Sequence, residues 1–399
     1  MKFVAQLEVG LGLAMFAAGC NGQMSQAADT LRQTALSLEQ QGKSAEAETA
    51  WRAVLKAHPA SPEPYGHLGL LEARQEHYKE AIPFYRKALA MNPNVPGLRL
   101  NFGLALFKAG ELKESIPEFT LLLKNSPPDS PDAQRLIILI GMAHYGLAEY
   151  AAAAPYLKQA AEHDPKSLPL RLALAHSYLW SKQSKYVLDV YHEILTLDPE
   201  SAEADMLAGE ALDEMKDNAG ATQMFRNAVK ANPKEPNAHF GLGYLLWAQK
   251  KYPEAAAEFK AELGNDPEHL QATLYLADSD IQMNQMDLAK PLLEKAVRVD
   301  PSLGLAHLDL GIVYSESENH QEALRELTAA ERLMPQEVNV HWRLGRLYRA
   351  MGKKQEAKLE FDKASSLNKA ADDDLYKKIA NGQNRPPQAQ TSPQTPAEK

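Results

Sequence analysis

The sequence predicts an all-α solenoid of about ten tandem antiparallel helix pairs, and three observations predict it. Nine prolines fall on one ruler, small residues recur at a fixed offset from them, and bulky residues recur at another. Pro59, Pro93 and Pro127 lie 34 residues apart; after one step of 38, the spacing of 34 runs through Pro165, Pro199, Pro233, Pro267, Pro301 and Pro335. A period of this size marks a repeat architecture, in which each unit leaves an apolar face uncovered and must stack on its neighbours. Ala and Leu abound while aromatic and β-branched residues are modest, which favours helix.

The chain has 399 residues, 45% hydrophobic and 24% charged, so a large core can be built. Its net charge of −9 argues against a nucleic-acid partner, which wants a basic stripe, and offers nothing to an anionic membrane surface. The one cysteine, Cys20, excludes a disulfide framework and any multi-cysteine zinc site.

Residues 1–19 begin with Lys2, carry a short apolar run from Val9 to Ala18 and end in small residues, the layout of an export signal. The run is shorter than the ~20 apolar residues a membrane span needs. Phe16-Ala17-Ala18-Gly19-Cys20 resembles the lipobox of bacterial lipoproteins, which implies lipidation at Cys20 and an exported, periplasmic or membrane-anchored chain. A signal cut later, after Ser25-Gln26-Ala27, and a cytoplasmic chain are the alternatives. Residues 20–27 form a short linker.

With each ruler proline counted as position 32, ten units cover 28–61, 62–95, 96–133, 134–167, 168–201, 202–235, 236–269, 270–303, 304–337 and 338–369. The four-residue excess lies at Pro127-Pro128-Asp129-Ser130-Pro131 in the third unit and reads as a loop that absorbs an insertion. Position 8 is small throughout, as at Gly69, Gly103, Gly243 and Gly345; position 20 is mostly small, as at Ala81 and Ala255. Position 24 is bulky, as at Trp51, Tyr85, Phe119 and Phe259. Two helices cross closely only where small residues face each other, so positions 8 and 20 should meet, with position 24 filling the space beside them. Proline at 32 ends the second helix, because it lacks an N–H and clashes with the preceding turn.

The tenth unit has Lys369 in place of the proline. Asp372-Asp373-Asp374 followed by Leu375, Tyr376 and Ile379 reads as a separate capping helix over 370–380, with acidic residues at its positive end. Residues 381–399 hold four prolines and no large apolar residue, so the reading there is a disordered tail.

The ten-unit pattern, carried by phrases such as YGHLGLLEARQEHYKEAIPFYRKALAMNP (residues 65–93), resembles the tetratricopeptide repeat family. The resemblance implies a right-handed superhelix whose first helices line a concave surface with positions 2, 5, 9 and 12. Carried over unit by unit, it points to a protein or peptide partner held in an apolar, aromatic groove. The residues implied are Leu104, Phe107, Met142, Tyr145, His176, Trp180, Phe240, Tyr244, Trp247, Arg346 and Arg349, while Leu100, Ile138 and Leu172 at position 5 read first as packing between units. Unit 6 interrupts the run with Glu210, Asp213 and Glu214. The Lys and Asn pattern with which some members clamp a terminal carboxylate is missing at positions 5 and 9.

Nothing in the sequence points to catalysis, a metal or a cofactor. His239, His307 and His341 share position 4 and read as surface histidines, a unit or more apart. Gly241-Leu242-Gly243 lies inside a helix with no strand before it, so it cannot cradle a phosphate. The expected function is a non-catalytic scaffold in the bacterial envelope. The alternatives are a structural subunit of a self-associated or membrane-associated assembly, or an accessory factor to an enzyme; the oligomeric state is open.

Overall fold

The computed structural model describes residues 26–380, with side chains from 29 to 370. The export signal, Cys20, most of the linker and the tail at 381–399 lie outside the described residues. Among these residues every element is helical and the helices come in tandem pairs. Units 1 to 6 comprise α1 (Gln26–Gln40) and α2 (Ser44–Ala57), α3 (Pro62–Arg74) and α4 (Tyr78–Met91), α5 (Leu98–Lys108) and α6 (Leu112–Lys124), α7 (Pro131–Gly146) and α8 (Tyr150–His163), α9 (Leu168–Trp180) and α10 (Ser184–Leu197), and α11 (Ala202–Glu214) and α12 (Asn218–Ala231). Units 7 to 10 comprise α13 (Ala238–Ala248) and α14 (Tyr252–Asn265), α15 (Leu270–Gln282) and α16 (Met286–Val299), α17 (Gly304–Glu316) and α18 (His320–Leu333), and α19 (Val338–Ala350) and α20 (Lys354–Ala380). The chain divides into two compact bodies, Met1–Ala231 and Asn232–Lys399.

In units 2, 3, 6, 7 and 10 the two helices meet where the position 8 glycine accepts the position 24 ring. A Cβ on Gly243 would come within 2.8 Å of Phe259 Cε1, and one on Gly103 within 2.7 Å of Phe119 Cε1. This refines the expected geometry: the small residue makes room for the ring itself, rather than for the small residue at position 20. Trp51, Tyr85, Phe119 and Phe259 are fully buried, and position 20 is buried beside them at Ala81 and Ala255.

Helix ends follow the prolines. In α4, α14 and α18 the residue after the helix donates its N–H to a carbonyl four residues back, at Ala88, Glu262 and Ala330, and the proline follows at once. Two expectations are corrected. The excess residues of unit 3 are not all loop: α7 begins at Pro131 and has 16 residues against 13 in α3, with Ser130 accepting from Ala133 N at 3.2 Å. Proline at the first helical position is compatible with such a start. The capping helix at 370–380 is not separate either, since α20 runs unbroken from Lys354 to Ala380. With Lys369 at the stop position, no missing N–H ends the helix.

The turn inside each pair has a recurrent backbone state. Position 15 is left-handed in all ten units: Gly42, Gly110 and Gly352 adopt it freely, while Glu76, Ala148, Lys182, Lys216, Lys250, Asn284 and Glu318 adopt it with a Cβ.

The histidines of position 4 are also corrected. His307 and His341 are buried, not on the surface. His307 Nδ1 lies 2.7 Å from Glu326 Oε2 and its Nε2 lies 3.1 Å from the Pro301 carbonyl oxygen. His341 repeats this with Glu360 at 2.7 Å and Pro335 at 3.0 Å, and His239 meets Glu258 at 2.6 Å. Each ring thus ties the two helices of its pair together, and His307 and His341 also hold the proline turn before them.

Candidate functional site

Three surfaces on the first helices collect the implied residues. The first lies on α7 and α9. Tyr145, His176 and Trp180 come together, joined by Tyr150 from the start of α8: His176 stacks on Trp180 at 4.8 Å, and Tyr150 lies 4.6 Å from it. Trp180 is 46% exposed. The Tyr145 hydroxyl lies 2.9 Å from His176 Nδ1, and His176 Nε2 lies 3.5 Å from a Glu203 carboxylate oxygen on α11. Burial lowers the His176 imidazole to about 4 and pushes the Tyr145 phenol up to about 12, with Tyr150 and Glu203 adding to the latter. At neutral pH the ring is therefore neutral and shares a hydrogen bond with the protonated phenol. Neither group is poised for proton transfer near neutrality, so this chain of contacts is a positioning network.

The acidic interruption of unit 6 lies on α11. Glu214 accepts from Lys182 Nζ and from Ser184 Oγ, and these bonds hold its carboxyl below the usual range against desolvation. Glu210 reaches solvent yet is crowded by protein; desolvation first, then Glu214, raises its carboxyl.

The second surface lies on α13 and α15. Phe240, Tyr244 and Trp247 surround Tyr275, with ring centroids at 6.0, 5.5 and 5.0 Å. Trp247 donates its indole N–H to Asp278. Tyr244 is 37% exposed, while Phe240 and Trp247 are half-buried. Below them Glu262 is buried on α14, and its carboxylate accepts from Asn237 N at 3.0 Å and Phe240 N at 3.1 Å. A carboxylate at the amino end of α13 thereby satisfies two backbone donors that the helix itself cannot.

The third surface lies on α19, where Trp342 is 42% exposed and Arg346 and Arg349 reach solvent. The Arg346 guanidinium lies 4.9 Å from the Trp342 ring centroid, and that of Arg349 lies 5.8 Å from the Phe361 ring.

Leu104, Phe107 and Met142 do not line an open surface. All three are buried, with Phe107 only 8% exposed, and they belong to the core shared by units 3 to 6. Phe107 leans on Phe119 of its own unit at 6.3 Å. Tyr150, Tyr275 and Asp278 join the surfaces without having been singled out for them, whereas Trp342 stands at position 5 of unit 10, in the expected row with Arg346 and Arg349. Tyr275 and Asp278 carried a signal, since they occupy positions 6 and 9 of the next unit, on the helix face that meets the aromatic row.

Among the described residues one group has the spacing of a metal site: Glu331, His341 and Glu360, with ligand atoms within 4.8 Å of one another. Lys363 Nζ already bridges it, donating to Glu331 at 3.0 Å and Glu360 at 2.8 Å, so an ammonium shared by the two carboxylates offsets one of their charges. No helix among the described residues is long and apolar enough to cross a membrane.

Family models described as tetratricopeptide repeat match residues 32–96 and 206–269, and 72–137, and one described as tetratricopeptide repeat-like domain matches 245–380. The matched units are tetratricopeptide repeats. Similar proteins include the anaphase-promoting complex subunit 3 of Schizosaccharomyces pombe, 23% identical over 78% of this chain and 46% of that protein. Cellulose synthase operon protein C of Xanthomonas axonopodis pv. citri is 23% identical over 83% of this chain and 25% of its own length. A DnaJ homolog subfamily C member 7 homolog of Schizosaccharomyces pombe is 22% identical over 77% of this chain and 71% of its own. This tetratricopeptide chain thus spans less than half the length of the first of these relatives. Among solved structures it resembles YrrB, a TPR protein with an unusual peptide-binding site, at 20% identity and a TM-score of 0.41 over 44% of this chain and 91% of that one. It also resembles the APC/C hetero-tetramer Cut9–Hcn1, at 13% identity and a TM-score of 0.40 over 86% and 87%.

Proposed function

We propose that this chain is a non-catalytic scaffold that holds a protein partner on the first helices of its tetratricopeptide repeats, and that it works in a bacterial envelope, tethered through Cys20. The observation that carries the binding reading is the aromatic surface of α13 and α15, where Tyr244 is exposed above a rigid base of Phe240, Trp247 and Tyr275. Aromatic side chains bring large contact area at low entropic cost, and a partly exposed ring on a packed base is the usual anatomy of an anchor. A relative that is itself named as a subunit of a complex fits this reading. The envelope half of the proposal rests on the Phe16 to Cys20 segment alone.

Crosslinked pull-down with mass spectrometry tests both halves. Tyr244→Ala is the variant of choice, because Tyr244 is the exposed ring of the row while Phe240 and Trp247 are half-buried. A few envelope proteins captured by the wild type and lost from Tyr244→Ala, with helicity unchanged, is the expected result. Identical capture by both chains would move binding to another surface, and capture of cytoplasmic proteins alone would overturn the compartment.

A further inference from the structure

In unit 7 the base of the aromatic row of the first helix is packed by the next first helix, which leaves Tyr244 exposed. Tyr275 sits among Phe240, Tyr244 and Trp247, and Asp278, three residues on, accepts a hydrogen bond from the Trp247 indole N–H. One ring and one carboxylate on the same face of α15 therefore satisfy that row. Among the described residues α19 is the last first helix, and its positions 5, 9 and 12 hold Trp342, Arg346 and Arg349, all exposed. Neither Arg346 nor Arg349 is ion-paired among the described residues. Arg343 completes the array at 5.3 Å from the Trp342 ring, and its buried Nε has no hydrogen-bond partner. Asp309 and Glu316 of α17 face Arg343, while Arg346 opposes it with like charge.

This array calls for what α15 supplies in unit 7: an apolar or aromatic side chain to cover the indole, with carboxylates close by on the same helical face. Guanidinium groups take carboxylates in a planar, two-point fashion and lie flat on aromatic faces, so Trp342 and its arginines suit one such ligand. We propose that α19 docks an acidic amphipathic helix of a protein partner, with an apolar side chain on Trp342 and carboxylates on Arg346 and Arg349. This deepens the scaffold reading and rests on it. A polyanion such as nucleic acid fits less well, because a chain of net charge −9 repels it beyond the patch and the exposed indole would gain nothing from phosphates.

The test is fluorescence anisotropy with the full chain and a labelled helical peptide carrying a leucine stripe flanked by glutamates, compared with the same peptide carrying lysines. The glutamate peptide should bind at least about tenfold tighter at low salt, and Arg346→Glu/Arg349→Glu should reverse the preference with the circular dichroism unchanged. Should the double reversal disturb folding, Arg346→Gln/Arg349→Gln should still weaken the glutamate peptide about tenfold. Trp342→Ala should weaken both the wild-type affinity and its dependence on the leucine stripe. No binding of the glutamate peptide, equal affinity for both peptides, or tighter binding of a single-stranded oligonucleotide or an anionic vesicle that survives the double substitution would overturn the proposal. A partner captured by pull-down while the glutamate peptide fails sinks the acidic-helix proposal alone. A bound peptide with no captured partner sinks the scaffold reading instead.

Discussion

Units 3 and 7 begin alike and end differently. Helices α5 and α13 both have 11 residues, both start late after a left-handed residue at position 2 (Gly97 and Asn237), and both pair position 4 with a glutamate at position 23, as Arg99–Glu118 and His239–Glu258. Yet Phe107 at position 12 of unit 3 is buried, while Trp247 at position 12 of unit 7 is half-exposed under an open Tyr244. The difference lies in the following helix. Unit 4 brings Leu136, Ile137 and Ile140 into the core that Phe107 shares, whereas unit 8 brings Tyr275 and Asp278, which touch the row through ring edges and one hydrogen bond. A repeat position therefore sets direction, and the neighbour sets accessibility.

The sharpest break between the two rows should come from truncation. Phe107→Ala should cost about 3–5 kcal/mol in urea or thermal unfolding, as large buried rings do, with partner capture per folded molecule unchanged. Tyr244→Ala should cost under about 1 kcal/mol, in keeping with a surface site, and should lose capture. Equal destabilisation by the two, or lost capture from folded Phe107→Ala, would erase the distinction.

Next in size is the amino end of the helix. At position 27, unit 7 has Glu262 holding two backbone N–H groups of α13, whereas unit 3 has Leu122 and no side-chain cap on α5. Glu262→Ala should destabilise by about 1–3 kcal/mol, because two part-buried donors lose a charged acceptor. Glu262→Gln should recover part of that. A loss below about 0.5 kcal/mol for the alanine variant would show that those donors find water instead.

Much of this was legible in the residues. The period, the pair boundaries and the roles of positions 8, 24 and 32 follow from spacing, because they act inside one unit and repeat in every unit. What was not legible acts between units or in the backbone. The burial of Leu104 and Phe107 depends on the residues that unit 4 lays over them, and Met142 of unit 4 is buried in the same core, which runs on into units 5 and 6. The extra turn of α7 depends on Ser130 and Pro131 being compatible with a helix start, which a proline-rich phrase conceals. The position 4 histidines offered a readable signal that periodicity alone passes over: His239, His307 and His341 each have a glutamate 19 residues on, and Arg99 has one too.

Acid and base should separate the two bodies in opposite senses. In Met1–Ala231, His176 titrates near 4 when folded and near its ordinary 6.5 when unfolded. The unfolded chain then binds more protons between those values, so this group's contribution to stability falls as pH drops from about 6.5 to about 4. In Asn232–Lys399, burial, aided by Asp278 and opposed by Arg343, pushes Asp309 up to about 7 from an ordinary 3.8. Here the folded chain binds more protons in the window, so stability falls as pH rises from about 4 to about 7. Asp309→Asn should remove that slope and stabilise at neutral pH by on the order of 1–3 kcal/mol, after discounting for partial exposure. His176→Gln should flatten the acid limb. A slope unchanged in Asp309→Asn would place the proton elsewhere.

The smallest expected effect returns to units 3 and 7, at the turn between their helices. Position 15 is Gly110 in unit 3, at φ 85°, and Lys250 in unit 7, at φ 61°. Nothing lies within 4 Å of a Cβ built on Gly110, so the site tests backbone strain without a steric clash. A left-handed residue with a Cβ is strained by roughly 1–2 kcal/mol, while glycine gains unfolded-state freedom that offsets part of this. Lys250→Gly should therefore stabilise by about 0.5–1 kcal/mol, and Gly110→Lys should destabilise by a similar amount. Calorimetry on the two single variants and the double exchange reads both, and additivity is expected because the sites share no partner. If Lys250→Gly instead destabilises, the lysine is held in its left-handed state by contacts that outweigh the strain, and the turn of unit 7 is more than a connection.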